Sequence, residues 1–251
     1  MGKIIHGNFN TNIKLRKKTV AIIAAGGKGT RMGLDFNKIF LSVHDKPILA
    51  YTLDVFEQSD AIDSVILVCS EEDEPLCKEI LSEFGYEKVT KIVRGGKTRQ
   101  ESVRNGLNAI ESACDIVLIH DAARPLVTEE MIESTIDSAH RVGAAAVGVS
   151  PVDTVKRVHG TTITDTLNRS SLILIQTPQA FRKEIIEKAH RHAFKNEYFV
   201  NDDCELCELI EQPVTVVPGS KANIKLTTPE DFAIISAFLS CYRDDEEDDD
   251  E

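Results

Sequence analysis

A glycine-rich turn follows the first apolar run of the chain: Ala24-Ala25-Gly26-Gly27-Lys28-Gly29-Thr30-Arg31-Met32-Gly33. Glycines in such a turn allow positive φ and a close approach of backbone to ligand. N–H groups left open where a strand turns into a helix cradle phosphate oxygens. Two familiar glycine motifs do not fit. A Walker A loop needs Lys followed by Ser or Thr, but Lys28 is followed by Gly29; a dinucleotide fingerprint begun at Gly27 meets Met32 where its last glycine belongs. What the segment adds is positive charge, at Arg31 and at Lys38. A reaction at phosphorus gathers negative charge on the phosphoryl oxygens and the leaving group, so fixed cations are its chief need. Arg clamps two oxygens at once, and Lys acts as a point charge.

A second candidate is Asp121, which closes the apolar run Ile116-Val117-Leu118-Ile119-His120. At a strand end it projects over the sheet edge, suited to a substrate hydroxyl or a hydrated Mg2+. A turn or capping role is the lesser reading, and a simple pair with Arg124, just ahead of the turn-stiffening Pro125, is also open.

These residues need elements to carry them. β-branched runs at Thr19–Ala25, Ser64–Ser70, Val89–Arg94, Asp115–His120 and Ala145–Ser150 alternate with helical patterns near 47–58, 72–84, 99–112 and 128–142. That alternation means βαβ units and a mainly parallel sheet. Runs apolar on both faces imply helices covering both sides. The expected fold is therefore α/β, a single Rossmann-like domain at 19–243 whose first glycine turn lies at the carboxyl edge of the sheet, where open α/β sheets bind ligands. Thr128 and Thr228 read as helix N-caps with acids following, and Pro229 as a first helical residue. Residues 151–175 break the rhythm with β-formers around a His159–Gly160 turn, a two-stranded arm that would pack on a partner subunit.

Composition narrows the class. The net charge is −12; residues 19–243 keep −9 after the five basic residues of 1–18 and the eight acids of 244–251 are set aside. An acidic body argues against broad nucleic-acid binding. No apolar run is long enough to cross a membrane as a helix. Residues 1–18 read as a basic, unfolded extension, or as a transit segment if the setting is a plastid. Residues 244–251 read as an unfolded acidic tail. Six scattered cysteines, with Cys204 and Cys207 as the one C-x-x-C pair, read as buried thiols of a cytoplasmic protein rather than a zinc site.

The loop 24–33 with Lys38 resembles the nucleotide loop of the sugar nucleotidyltransferases. Five further segments sharpen the likeness: Gly95–Val103 (GGKTRQESV), His120–Pro125 (HDAARP), Pro151–Arg157 (PVDTVKR), Gln176–Phe181 (QTPQAF) and Asn223–Asp231 (NIKLTTPED). Together they resemble the 2-C-methyl-D-erythritol 4-phosphate cytidylyltransferase family over about residues 19–240. The resemblance implies transfer of CMP from CTP to a sugar-alcohol phosphate with release of pyrophosphate, in non-mevalonate isoprenoid synthesis. It implies transition-state stabilisation by Arg31 and Lys38. It implies CTP contacts from Ala25, Gly26, Gly27, Gly29, Gly96, Lys97, Ser102 and Ala122, and acceptor contacts from Asp121, Arg124, Thr154, Arg169, Thr177 and Lys225, with Arg169 and Lys225 placing the acceptor phosphate in line. Thr154 and Arg169 on the arm would serve the partner's site, which implies a homodimer. Mg2+ or another divalent cation would ride on the triphosphate and water rather than on protein ligands.

Two departures stand out: Ala-Ala-Gly-Gly replaces the family's frequent Pro-Ala-Ala-Gly, and Lys97 stands where an acid is common, which puts a carboxylate–ribose contact there in doubt. An attacking phosphate is already ionised, so no general base is required, and His120 reads as a buried structural histidine. Three alternatives stay open. A ribitol-5-phosphate cytidylyltransferase shares the fold, though its relatives tend to carry bulkier or hydroxylated residues after the strand-end Asp. A nucleotide-binding regulator without chemistry and an interaction module working through the charged ends are the others.

Overall fold

The computed structural model of the chain describes residues 18–27, 32, 33, 35–111 and 113–248. The first strand, β1 (Thr19–Ala24), lies between β4 (Ser64–Cys69) and β6 (Ile116–Asp121), parallel to both. A two-strand pair, β2 (Ser42–Val43) with β3 (Lys46–Pro47), leads into helix α1 (Ile48–Gln58). Helix α2 (Glu74–Phe84) connects β4 to β5 (Val89–Arg94), and α3 (Arg99–Asn108) connects β5 to β6. Helix α4 (Glu129–Val142) precedes β7 (Ala144–Val149). The arm follows as β8 (Lys156–His159) and β9 (Thr162–Thr166). Then come β10 (Leu174–Arg182), α5 (Lys183–Lys195), α6 (Asp203–Glu208), β11 (Thr215–Pro218) and α7 (Pro229–Asp248).

Seven strands form one sheet in the order β11-β7-β10-β6-β1-β4-β5, with β10 alone antiparallel to its neighbours β6 and β7. Alternate residues of β1 show why the strands are apolar throughout. Ala21 and Ile23 join one core cluster, with Leu49, Phe56, Ile132 and Ile235 from α1, α4 and α7; Val20 and Ile22 join the other, with Val103, Leu107 and Ile186 from α3 and α5. A sheet covered on both faces leaves no polar side to alternate. Among the described residues no helix is long and apolar enough to cross a membrane.

The predicted strands and the first four helices fall within a few residues of their expected places. Thr128 caps α4, accepting from the Met131 N–H at 3.3 Å, and Thr228 does the same for Asp231 at 3.3 Å. The arm is a two-stranded antiparallel excursion, exposed throughout its strands, turning at Gly160 with φ +60°. Sequence reading did not foresee β10. Its Gln176, Thr177, Pro178 and Gln179 erase the apolar signature, and Pro is poorly tolerated inside a strand. A register shift between Ile175 and Gln179 accommodates them, and the Thr177–Pro178 peptide is cis.

At the carboxyl end, α7 continues to Asp248, so residues 244–248 are helical where an unfolded acidic run was expected. Helix nucleation is the costly step, and the buried Ile235 and Leu239 already anchor α7, so adding good helix formers such as Glu meets little resistance. The basic extension, apart from Lys18, lies outside the described residues, as do 249–251.

Helix α3 sits close on β1 because Gly106 has no side chain. A Cβ there would lie 2.8 Å from Ile22 Cγ2 and 3.1 Å from Val68 Cγ2. Gly106→Ala should gain helix propensity yet lose more to overpacking, for a net loss of about 1–2 kcal/mol in urea unfolding. A midpoint at or above that of wild type would mean that α3 moves off the sheet without cost.

Candidate active site

The turn after β1 is held before any ligand arrives. The Ala25 N–H donates to the Val68 carbonyl at 2.7 Å, and the side-chain amide of buried Asn37 donates to the Ala25 carbonyl at 2.7 Å and to Asp73 Oδ2 at 3.0 Å. The same Asn37 caps the short helical turn Lys38–Phe40 through its Oδ1. Lys38 is therefore fixed by the residue before it and is itself buried. A Cβ placed on Gly27 would come within 3.6 Å of Lys38 Nζ, so the ammonium lies against the glycine turn.

Across the cavity, α3 begins with Thr98 as N-cap, accepting from the Glu101 N–H at 3.1 Å. The Gly96 N–H donates to Ser102 Oγ at 3.0 Å and the Lys97 N–H to Glu101 Oε2 at 2.7 Å. An added side chain at Gly96 would collide with Glu101, so that position requires glycine.

Asp121 ends β6 with its side chain almost fully buried. Its two oxygens meet different cations: Arg99 Nε donates to Oδ1 at 3.1 Å, and Lys225 Nζ to Oδ2 at 2.7 Å, with Arg124 Nε 3.9 Å away. Burial alone would raise this carboxyl. The charges of Arg99, Lys225 and Arg124 outweigh it and hold the group well below the usual carboxylate range. Lys225 is delivered from a distant segment by two staples: the Leu226 N–H bonds the Ala123 carbonyl at 2.8 Å, and buried Asn223 donates to the Thr177 carbonyl at 2.9 Å while its own carbonyl accepts from Arg124 Nη1 at 2.7 Å.

One cavity of about 240 Å³ collects these groups. Its walls include Ala25, Gly26, Gly27, Lys38, Gly96, Lys97, Ser102, Asp121 and Lys225, all expected from the sequence, together with Asn37 and Arg99, which were not. Arg31 and Gly29 lie outside the described residues. Ala122, Arg124 and Thr177 sit behind the cavity: Ala122 is fully buried, and the Thr177 hydroxyl is engaged between the Asp121 N–H and His120 Nδ1, each at 3.1 Å. Thr154 and Arg169 are not brought in within one chain. Thr154 is exposed beside the arm, and Arg169 donates to the Val152 carbonyl at the edge of a separate open groove of about 1030 Å³ at the arm's base.

The profile of the IspD family, 2-C-methyl-D-erythritol 4-phosphate cytidylyltransferase, matches residues 19–241. The chain belongs to this family. A Clostridium botulinum (strain Langeland) protein named 2-C-methyl-D-erythritol 4-phosphate cytidylyltransferase is 45% identical over 218 residues, which is 86% of this chain and 95% of that protein. An Alkaliphilus metalliredigens protein of the same name is 42% identical over 232 residues, 92% of this chain and 96% of its own. The crystal structure of 4-diphosphocytidyl-2C-methyl-D-erythritol synthase from Anaerococcus prevotii superposes with a TM-score of 0.79 at 34% identity, covering 89% of this chain and 99% of that one. Membership makes the chain a cytidylyltransferase, and these relatives do not favour the ribitol phosphate alternative.

Within this cytidylyltransferase, Asp121 is the single carboxylate among the described residues lining the cavity, and it is committed to Arg99 and Lys225. Nor do three or more His, Cys, Asp or Glu side chains cluster as metal ligands among the described residues. Among the described residues the cavity therefore presents no ready-made cage of protein ligands. In α6, Cys204 and Cys207 are buried, and burial pushes both thiols up, Cys207 to about 12.

His120 is fully buried, and its Nε2 lies 3.2 Å from the Arg124 carbonyl. A carbonyl only accepts, so Nε2 carries the proton and Nδ1 accepts from the Thr177 hydroxyl. Burial pushes the ring down to about 3, against the pull of the Asp121 charge. An ordinary histidine titrates near about 6.5, so below that pH the unfolded chain takes up a proton that the folded chain refuses. The stability due to neutral His120 is therefore whole above about pH 6.5 and lost as pH falls toward 3. Wild type should lose urea resistance across this window faster than His120→Gln, so the gap between them narrows on acidification. A gap independent of pH would mean that His120 titrates as though exposed.

Proposed function

We propose that this cavity takes CTP, and that the phosphate of 2-C-methyl-D-erythritol 4-phosphate attacks its α-phosphorus. A bond forms from an acceptor phosphate oxygen to that phosphorus, the bond to the bridging oxygen breaks, and pyrophosphate leaves. The products are 4-diphosphocytidyl-2-C-methyl-D-erythritol and pyrophosphate. The observation that carries the reading is convergence. Lys38 against the glycine turn, Asp121 at the end of β6 and Lys225 from a distant segment line one cavity.

In this reading the turn Ala25-Gly26-Gly27 and the loop at Gly96 and Lys97, with Ser102 behind it, receive the nucleotide. Lys38, with Arg31 and Gly29 of the glycine-rich segment, meets the charge that grows on the α-phosphoryl oxygens and the leaving pyrophosphate. A buried ammonium already in place costs no reorganisation when that charge appears. Asp121 takes an acceptor hydroxyl and Lys225 the acceptor phosphate, while Ala122, Arg124 and Thr177 support them from behind. Holding the acceptor in line with the α-phosphorus lowers the barrier by several kcal/mol, as approximation generally does. Mg2+ or another divalent cation, bound with the triphosphate, supplies charge neutralisation there. Arg169 and Thr154 complete the acceptor site from a second copy of the chain, which is why the exposed arm is read as a dimerisation element. Six unbridged thiols accord with a cytoplasmic setting.

Lys38→Ala should lower kcat by about 10²–10³, the usual cost of removing one such charge-stabilising group, with a far smaller change in CTP affinity. Pyrophosphate release with the methylerythritol and ribitol acceptors side by side checks the substrate, and turnover of ribitol 5-phosphate alone would overturn the choice. Mixing Lys38→Ala with Arg169→Ala subunits should restore activity, because each mixed dimer then holds one site built from two intact halves. Verified mixed dimers as inactive as their parents would remove the arm from catalysis.

A further inference from the structure

Arg99 opens α3, immediately after the loop that lines the nucleotide side of the cavity. A cation in the first turn of a helix opposes the helix dipole, so local preference does not account for it. Its guanidinium instead bridges two carboxylates. Nε donates to Asp121 Oδ1 at 3.1 Å, and Nη1 to Asp203 Oδ2 at 2.6 Å. Asp203, the first residue of α6, is buried at 1% exposure, and its other oxygen lies 3.5 Å from Nε2 of buried His190. Burial would raise the Asp203 carboxyl, but Arg99 and His190 outweigh it and keep the group below its ordinary range. The remaining nitrogen of the fork, Nη2, is buried with no hydrogen-bond partner among the described residues. The position thus accepts an unmet donor in order to hold the other two bonds.

We propose that Arg99 is a positioning residue of the transfer reaction, held from behind by Asp203 so that it fixes one oxygen of Asp121 and sets how tightly the other holds Lys225. The proposal rests on the reading above, in which Lys225 receives the acceptor phosphate. A carboxylate is free to turn about its last torsion, whereas a planar guanidinium anchored at its far end fixes that plane. With that plane released, the other oxygen no longer presents Lys225 to the acceptor phosphate in one place. Loss of the clamp should therefore fall on the acceptor and spare CTP.

Two variants test this in the full chain. Asp203→Asn keeps the shape behind Arg99 and removes the charge. Arg99→Lys keeps the charge and removes the fork, and it leaves no buried carboxylate without a cation should Asp203→Asn fail to fold. Each should raise KM for 2-C-methyl-D-erythritol 4-phosphate about ten-fold, equivalent to about 1.4 kcal/mol, with KM for CTP nearly unchanged. A merely structural role would lower the folded, active fraction, reducing kcat while leaving both KM values alone, and that outcome overturns the proposal. So does an equal rise in both KM values, or full rescue by Lys at position 99. If wild type itself releases no pyrophosphate with this acceptor, the reaction assigned above fails first, and the positioning role fails with it.

Discussion

A full negative charge, the Asp121 carboxylate, is taken out of water at the end of the strand next to β1, and the site is arranged around keeping it ionised. Isolated burial of a carboxylate costs several kcal/mol, and the group would take up a proton rather than bear it. Three cations from three segments prevent that: Arg99 ahead of the strand in sequence, Arg124 in the turn after it, and Lys225 from a loop stapled on by Asn223 and Leu226. Removing one partner of such a group costs about 3–5 kcal/mol in typical cases, so the cations and the carboxylate fix one another. In the reaction proposed above, a cavity whose polar groups are locked in this way needs little rearrangement as phosphate charge develops.

Sheet order is what brings those segments together. β1 and β6 are neighbours running the same way, so the glycine turn after Ala24 and the carboxylate at Asp121 leave the same edge, paired at the last residue of each strand. β10 enters beside β6 in the opposite sense and sets Thr177 under Asp121 and His120. Neutral His120 fills the space between Phe56, Thr177 and the Arg124 carbonyl, with both ring nitrogens satisfied. Its part is to hold the strand end and the following turn at fixed distance.

How much of this was legible in the sequence depended on the range of the signal. Strands apolar on both faces and helices with Thr caps carry their evidence locally, and those elements were readable. The glycine turn, Lys38, Asp121 and Lys225 were readable too, because each belongs to a short segment that carries the family likeness. Asn37, Asp203 and Asn223 were not: each is a polar residue whose purpose is a partner far away in the chain, Asp203 being 104 positions from Arg99. Arg99 did leave a trace. It lies inside a segment that was recognised, at a helix start where a cation is disfavoured, and a local rule broken without local gain marks a functional position. β10 went unread for the converse reason, since the polar residues that hold Asp121 and Asn223 are the ones that spoil a strand's pattern.

The cavity is mostly cationic, and its charges are partly paired already. Its lining carries four cations, Lys38, Lys97, Arg99 and Lys225, against the single carboxylate of Asp121. Arg99 and Lys225 are already bonded to that carboxylate, so much of their field is spent inside the protein. A nucleoside triphosphate meeting a phosphate monoester brings more negative charge than the remainder offsets, in a chain whose net charge is −12. In the reaction proposed above, further positive charge comes from outside the described cavity. On the proposed reading the sources are Arg31 of the glycine-rich segment, a divalent cation on the triphosphate and Arg169 of a second copy. That reading divides the positive charge among chain, substrate-borne metal and second copy, which suits a chain whose net charge is −12.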